Sequence, residues 1–342
     1  MMQAVPDGKI EVVRFIQGLT AERPELLRPM DHQSWAKLAV MLLWFLACVW
    51  AGAWSPLIAG LPVFLLMGVL HYHMIVAIHE AIHRTLFFSN RLNDVAGVLF
   101  GGLALANFDS VKKHHLSHHQ LYGRESDPDR AEYMFDPPAA STGELIWRIF
   151  KRSFALSNLG EKIERNLWRR KTAATAAVKP ASEFGALTVM AAMQSCVFIL
   201  YWAVGAWWHY FAFWLAPMFV LSRFLSGLRM YGEHAGLALK TTARNQDQIY
   251  AARTTVAGVS WWRQPSWLIE KFLLGPFNFN YHHEHHIMQH LPHHHLPRVH
   301  RALADIGYYD RHPQARSDSY FATLRQQTQP ARELGTAGSA LH

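Results

Sequence analysis

The sequence predicts an all-α integral membrane protein: four transmembrane helices in two hairpins, capped by a helical cytosolic domain. Three observations lead there. Four long apolar runs carry no charged residue, basic residues avoid the two short turns within each pair of runs, and the 342-residue chain is 51% hydrophobic but only 17% charged. Burying four such runs in a water-soluble core would demand more amphipathic covering helices than the chain supplies.

Residues 1–36 form a polar N-terminal arm, too polar to read as a cleavable signal peptide. The membrane domain is expected over 37–310. Its runs are Leu38–Trp54, Pro56–Ile78, Phe184–Val204 and Trp207–Ser222, each close to the ~17–25 residues a spanning helix needs. Spans are placed at about 38–54, 57–78, 184–204 and 207–226. A fifth apolar stretch, Val95–Phe108, is too short to cross and reads as interfacial or re-entrant. Residues 311–342 form a cytosolic tail whose last dozen positions read as frayed. All 33 Lys and Arg lie in residues 1–37, in 79–183 or from Arg223 onward, and none lies near Ser55 or Gly205-Ala206. Positive charge marks the cytoplasmic side, so both termini and both large polar regions are expected there. The net charge of +8 follows from that distribution; it suits anionic headgroups and an acidic partner and calls for no nucleic acid. Cys48 and Cys196 sit in separate spans and read as small apolar packing residues.

Most of the 22 histidines gather at or near the cytoplasmic ends of apolar segments. "HEAIH" holds His79 and His83, four apart and so on one helical face. "KHHLSHH" holds His115, His118 and His119. "YGEHAG" holds His234, and "NYHHEHH" holds His282, His285 and His286. In each HxxHH the first histidine lies between the other two on the helical wheel and the final pair diverges by about 100°, so one turn can feed two neighbouring metal ions. A third HxxHH match, His290, His293 and His294, encloses Pro292, which disrupts helical spacing. It is expected on the surface or in an outer layer, as a decoy, and His283 as an adjacent bystander. Isolated His32, His71, His73 and His209 read as structural.

Eight or nine imidazoles with no cysteine favour iron, copper, nickel or zinc over magnesium or calcium. Four ligands satisfy a structural zinc, so this number implies two metals, and histidine-rich metals at a membrane suggest redox chemistry on a lipid. Two other classes stay open. HExxH is also the signature of a zinc metalloprotease, and a histidine-rich loop suits a metal transporter, although transporters place ionisable ligands within their spans. Asp127 and Asp129 in "ESDPDRAEY" either orient ligand imidazoles or form a solvated turn before a helix.

With these motifs the chain resembles the membrane fatty acid desaturase/hydroxylase superfamily over roughly residues 35–310. "HEAIH", "HHLSHH" followed by "DPD", the "EH" of Glu233-His234, and "NYHHEHH" followed by "LPRVHRAL" stand in its order. The resemblance implies a non-haem di-iron centre on the cytosolic face, ligated by His79, His83, His115, His118, His119, His234, His282, His285 and His286, with Asn280 as support. It implies two iron ions (Fe2+/Fe3+), dioxygen as co-substrate, a lipid or fatty acyl substrate, and a bacterial inner-membrane location. No His-Pro-Gly-Gly haem motif occurs. A separate electron donor is therefore implied, ferredoxin- or cytochrome-like with its reductase, docking on the basic run Arg148–Lys171. Glu80 stands where many members carry Asp, and "IMQHLP" replaces the usual aromatic-Pro after the third box. Fatty acyl desaturation is the expected reaction, with hydroxylation of an acyl, alkane or carotenoid substrate as the alternative.

Overall fold

A computed structural model describes residues 9–54, 56–122, 124–154, 180–237, 252–257 and 266–328. The last fourteen residues and the basic run beyond Phe154, up to Lys171, lie outside the described residues. The chain is mostly helical. In order come α1 (Lys9–Glu22), α2 (Asp31–Trp54), α3 (Pro56–Ile82), α4 (Asn90–Leu103), α5 (Phe108–Leu121), α6 (Arg130–Tyr133), α7 (Thr142–Phe154) and α8 (Pro180–Ala203). A stretch with two π-helical segments, Tyr210–Leu215 and Met218–Ser222, continues into α9 (Arg223–His234). Then follow β1 (Thr254–Thr255), α10 (Ser266–Leu274), α11 (His282–Ile287), α12 (Leu296–Asp305), α13 (Tyr308–Arg311), β2 (Arg316–Ser317) and α14 (Tyr320–Gln326).

Among the described residues, four helical stretches are long and apolar enough to cross a membrane: Pro24–Trp54, Gly60–Ile82, Gly185–Ala203 and Tyr210–His234. Two of them outrun the apolar runs that signal them. Helix α3 continues through Ile82 because Ala81 and Ile82 extend its buried face past the first polar residues. The fourth stretch runs on to His234. The histidines of "HEAIH" and "GEH" thus stand at helix ends, not on loops.

The chain divides into two compact units. One comprises residues 28–116 and 151–225, and carries most of the apolar helices. Within it α3 packs against α2, α4 and the π-helical segments, and α4 packs against α8. Outward-facing Leu43, Trp50, Leu187, Ile199 and Trp202 are more than half exposed, an apolar surface that suits lipid. Cys48 is buried in this unit, whereas Cys196 points outward. The short apolar segment forms α4, which meets α5 at 105°. The elbow needs Gly97: a Cβ there would lie 2.2 Å from the Phe108 ring that folds back on it. Midway along α8, Gln194 is buried and fully engaged. Its amide donates to Gly102 O and Leu103 O, both at 2.9 Å, and its carbonyl accepts from Tyr210 Oη and Trp214 Nε1 at 2.9 and 3.0 Å. The C-terminal carbonyls of α4, unpaired by geometry, are capped there by a side chain.

The other unit comprises 1–27, 117–150 and 226–342. Its core joins Val12 and Ile16 of α1 to Ile287 of α11, Val299 and Leu303 of α12, and Tyr308. The α12 sequence LPRVHRALAD places apolar residues at helical spacing, and Val299 and Leu303 are fully buried. Strands β1 and β2 pair in parallel, Thr254 with Arg316 and Thr255 with Ser317. This pairing holds residues 254–255 against 316–317.

Candidate metal centre

In the unit of 28–116 and 151–225, α3 supplies His79 and His83 one turn apart, with ring centres 4.7 Å from each other. His115 of α5 joins them, its ring 4.5 Å from His79 and 4.9 Å from His83. The Nε2 atoms of His83 and His115 are 2.8 Å apart. Glu80 is buried behind this group. It accepts from His79 Nδ1 at 3.0 Å and from the Thr85 hydroxyl at 2.6 Å. Glu80 thus ties His79 to Thr85 at the end of α3.

Helix α5 continues into the other unit with His118 and His119, which meet His234 at the end of α9 and His282, His285 and His286 of α11. There His119 Nε2 is 3.3 Å from His285 Nε2, His282 Nε2 is 3.2 Å from His234 Nε2, and His286 Nε2 is 3.1 Å from His282 Nε2. The ligand atoms of His118, His234 and His286 also lie within 4.8 Å of one another. His283 faces elsewhere: Nδ1 meets Ala252 O at 2.9 Å and Nε2 meets Tyr308 Oη at 3.0 Å. Of the third HxxHH, His290 is exposed, but His293 is fully buried against Phe277. His290 thus lies on the surface, whereas the turn at Pro292 tucks the His293 ring inward. Neither belongs to any metal-competent group among the described residues.

These contacts fit a metal. Adjacent nitrogens on one ion, each bonded at about 2.0–2.1 Å, lie about 3 Å apart, the separation seen between facing Nε2 atoms. Ligand imidazoles normally donate their other N–H to an oxygen. His79 does so to Glu80, and His118 Nδ1 donates to Asp127 Oδ1 at 2.9 Å. Asp127 is buried and also accepts from the Asp129 backbone at 2.9 Å and from the Tyr133 hydroxyl. Burial pushes its carboxyl up, but His118, Tyr133 and the backbone N–H outweigh this and hold it below its ordinary value. Burial, and then the neighbouring imidazoles of His119, His282, His234 and His118, pushes His286 well below an ordinary histidine. The neutral form that binds metal is therefore favoured.

Replacing Asp127 with Ala should weaken metal binding by about 10–100-fold, the scale for carboxylates behind metal-binding histidines. Asp129, whose carboxylate lies 3.6 Å from His118 Nδ1, should matter far less. Dialysis of the two variants against graded chelator checks the difference. Equal retention in both would leave Asp127 as no more than a turn residue.

Of the supporting residues, Asn280 was expected and Glu233 stood in the "EH" motif, but Glu284 was not singled out in the sequence. Glu284, inside the third box, is fully buried and accepts from His300 Nδ1 at 2.6 Å and from the hydroxyls of Tyr309 and Thr254. Burial alone would raise this carboxyl, but His300 leads the contacts that bring it down to about 2. Its signal was legible, since a carboxylate between ligand histidines needs its own partners. Glu233, beside His234, is buried as well. Asn280 Nδ2 donates to Thr255 O at 3.0 Å, while the Asn280 backbone carbonyl accepts from Thr255 N at 2.8 Å. It therefore clamps β1 to the chain two residues ahead of His282.

A family model described as Fatty acid desaturase matches residues 55–317. Comparison with curated proteins finds no match.

Proposed function

Because the chain belongs to the fatty acid desaturase family, we propose that it is an oxygen-dependent di-iron enzyme that desaturates a fatty acyl chain. Family membership makes it an oxidoreductase of the desaturase/hydroxylase superfamily. The observation that carries the finer reading is the convergence of ring nitrogens about 3 Å apart on ties through Asp127 and Glu80. His79, His83, His115, His118, His119, His234, His282, His285 and His286 would hold two iron ions. Bound iron supplies the one-electron chemistry that lets dioxygen attack an unactivated C–H bond. The chain's own residues do the rest. Asp127 and Glu80 fix tautomers and ring planes, Asn280 and Glu284 hold the third box in register, and buried surroundings limit access of water and stray reductant.

The remaining readings complete the proposal. Both termini face the cytoplasm of a bacterial inner membrane, the four spans form two hairpins, and electrons arrive from a separate ferredoxin- or cytochrome-type donor with its reductase. The Lys- and Arg-free turns motivate the first two; a reporter at 206 labelled from the cytoplasm would sink that topology. The donor is motivated by the missing haem motif and the basic surface of α7; turnover that needs no added donor would count against it.

The expected result for purified protein is about two iron ions per chain, since nine imidazoles exceed one ion's needs. Expression in a host should add unsaturated acyl chains to its lipids, and His282→Ala should abolish them. Hydroxylated products alone would shift the assignment to hydroxylation by the same centre. One zinc and no iron would reinstate the protease.

A further inference from the structure

The geometry points to Glu233 as a carboxylate ligand in the metal centre, alongside His234 and His282; this rests on the di-iron reading above. It stands in the "EH" motif, where only His234 is expected as a ligand. The ligand-type atoms of Glu233, His234 and His282 lie within 4.8 Å of one another, and all three residues are buried. Glu233 Oε2 is 3.5 Å from His282 Nε2, the same nitrogen that faces His234 Nε2 at 3.2 Å and His286 Nε2 at 3.1 Å. The carboxylate therefore shares the focal point of the imidazoles. It does not sit behind a ring on the Nδ1 side, as Asp127 does behind His118.

The remaining contacts of Glu233 leave room for an ion. Oε2 accepts from Arg229 Nη1 at 2.6 Å and Oε1 accepts from Tyr320 Oη at 2.9 Å. A carboxylate has about four lone-pair sites, so roughly two remain. Arg229 is itself nearly buried, and its guanidinium lies 4.4 Å from the centre of the Phe279 ring, which packs 4.8 Å from His282. A buried guanidinium this close to a cation site needs an anion between them. Glu233 is that anion, and Arg229 and Tyr320 fix its plane.

The consequence is a change in which metals the site suits. Imidazoles alone accept copper, zinc and nickel as readily as iron, whereas two histidines with one carboxylate are the set used by non-haem iron oxygenases. Glu233 would tilt a histidine-rich site toward iron and offset part of the ion's charge away from water.

The test uses the metal-free full-length protein in detergent, titrated with Co2+ and followed by visible absorption, with iron per chain measured separately. Arg229→Gln/Glu233→Gln removes both charges, so it leaves no stranded ion, and the melting temperature of its metal-free form reports whether the fold is kept. The wild type should bind about two equivalents. The double variant should bind one of them tenfold or more weakly, and Arg229→Gln alone should keep both. Glu233→Asp, which keeps the charge but withdraws it by a methylene, should weaken the same equivalent. If the double variant and Glu233→Asp both bind metal as the wild type does, Glu233 is only the ion-pair partner of Arg229 and the inference is overturned. Wild-type protein that takes up neither Co2+ nor iron would instead sink the di-iron reading itself.

Discussion

Iron content and product should fall together, tenfold or more, when His282, His285 or His286 is changed to Ala, and both should hold when His290 is changed. The first three present Nε2 atoms at 3.1–3.3 Å to other imidazoles, so under the proposed assignment each deletion would remove a coordination bond that water replaces with a weaker base. The expected scale starts from the 10–100-fold losses seen when even supporting groups of metal sites are removed. His290 is exposed and serves as the control. His283 and His293 do not, because both are fully buried. His283→Ala would strand the Ala252 carbonyl, at a cost of about 1–3 kcal/mol, and remove one partner of the Tyr308 hydroxyl. Its signature should be lost stability with iron retained in the folded fraction. Iron that survives in the His285 variant but not in the His290 variant would reverse the ligand assignment.

Glu284→Ala should be the most destabilising single change outside the ligands. Its carboxylate lies fully buried and takes three side-chain donors, His300, Tyr309 and Thr254. Removing one partner of a buried charged network costs about 3–5 kcal/mol, because the other groups stay buried and uncompensated. Glu284→Gln keeps the shape but loses the anion and should fall between. The pH dependence follows from linkage. The folded pKa of about 2 lies below the ordinary 4.5, so this network stabilises the fold above about pH 4.5 and loses that contribution as pH falls toward 2. Denaturation of metal-free protein in detergent separates this from metal loss. A Glu284→Ala variant as stable as the wild type at pH 7 would show that the network contributes nothing to the fold.

What the sequence made legible was whatever announced itself locally. The spans could be read because charge is absent over some twenty residues at a stretch, and the boxes because HxxHH repeats within one helical turn. Helix ends were less legible: reading α3 to its last apolar residue stops at Ile78, yet the turn carrying His79 and His83 stays helical through Ile82. Asp127 stood out because it follows its histidine by nine residues. Glu284 and Thr254, 30 residues apart, and Glu233 and Tyr320, 87 apart, left no local trace of their pairing. The two-residue strands β1 and β2 are too short for any alternation to show. The burial of His293 was hidden for a related reason: Pro292 rules out regular helical spacing but says nothing about which way the following turn faces.

The amide of Gln194 joins four groups from three parts of the apolar unit, and this constrains how such a protein can drift in evolution. Hydrocarbon offers no substitute partner for a polar group left behind. A leucine at 194 would strand the Tyr210 hydroxyl, the Trp214 indole N–H and the Leu103 carbonyl at once, whereas phenylalanines at 210 and 214 would leave the amide oxygen without donors. Positions 194, 210 and 214 should therefore change together, because intermediates that alter a single member pass through a less stable state. Chimaeras that exchange α8 alone between relatives should fold poorly unless residues 210 and 214 travel with it.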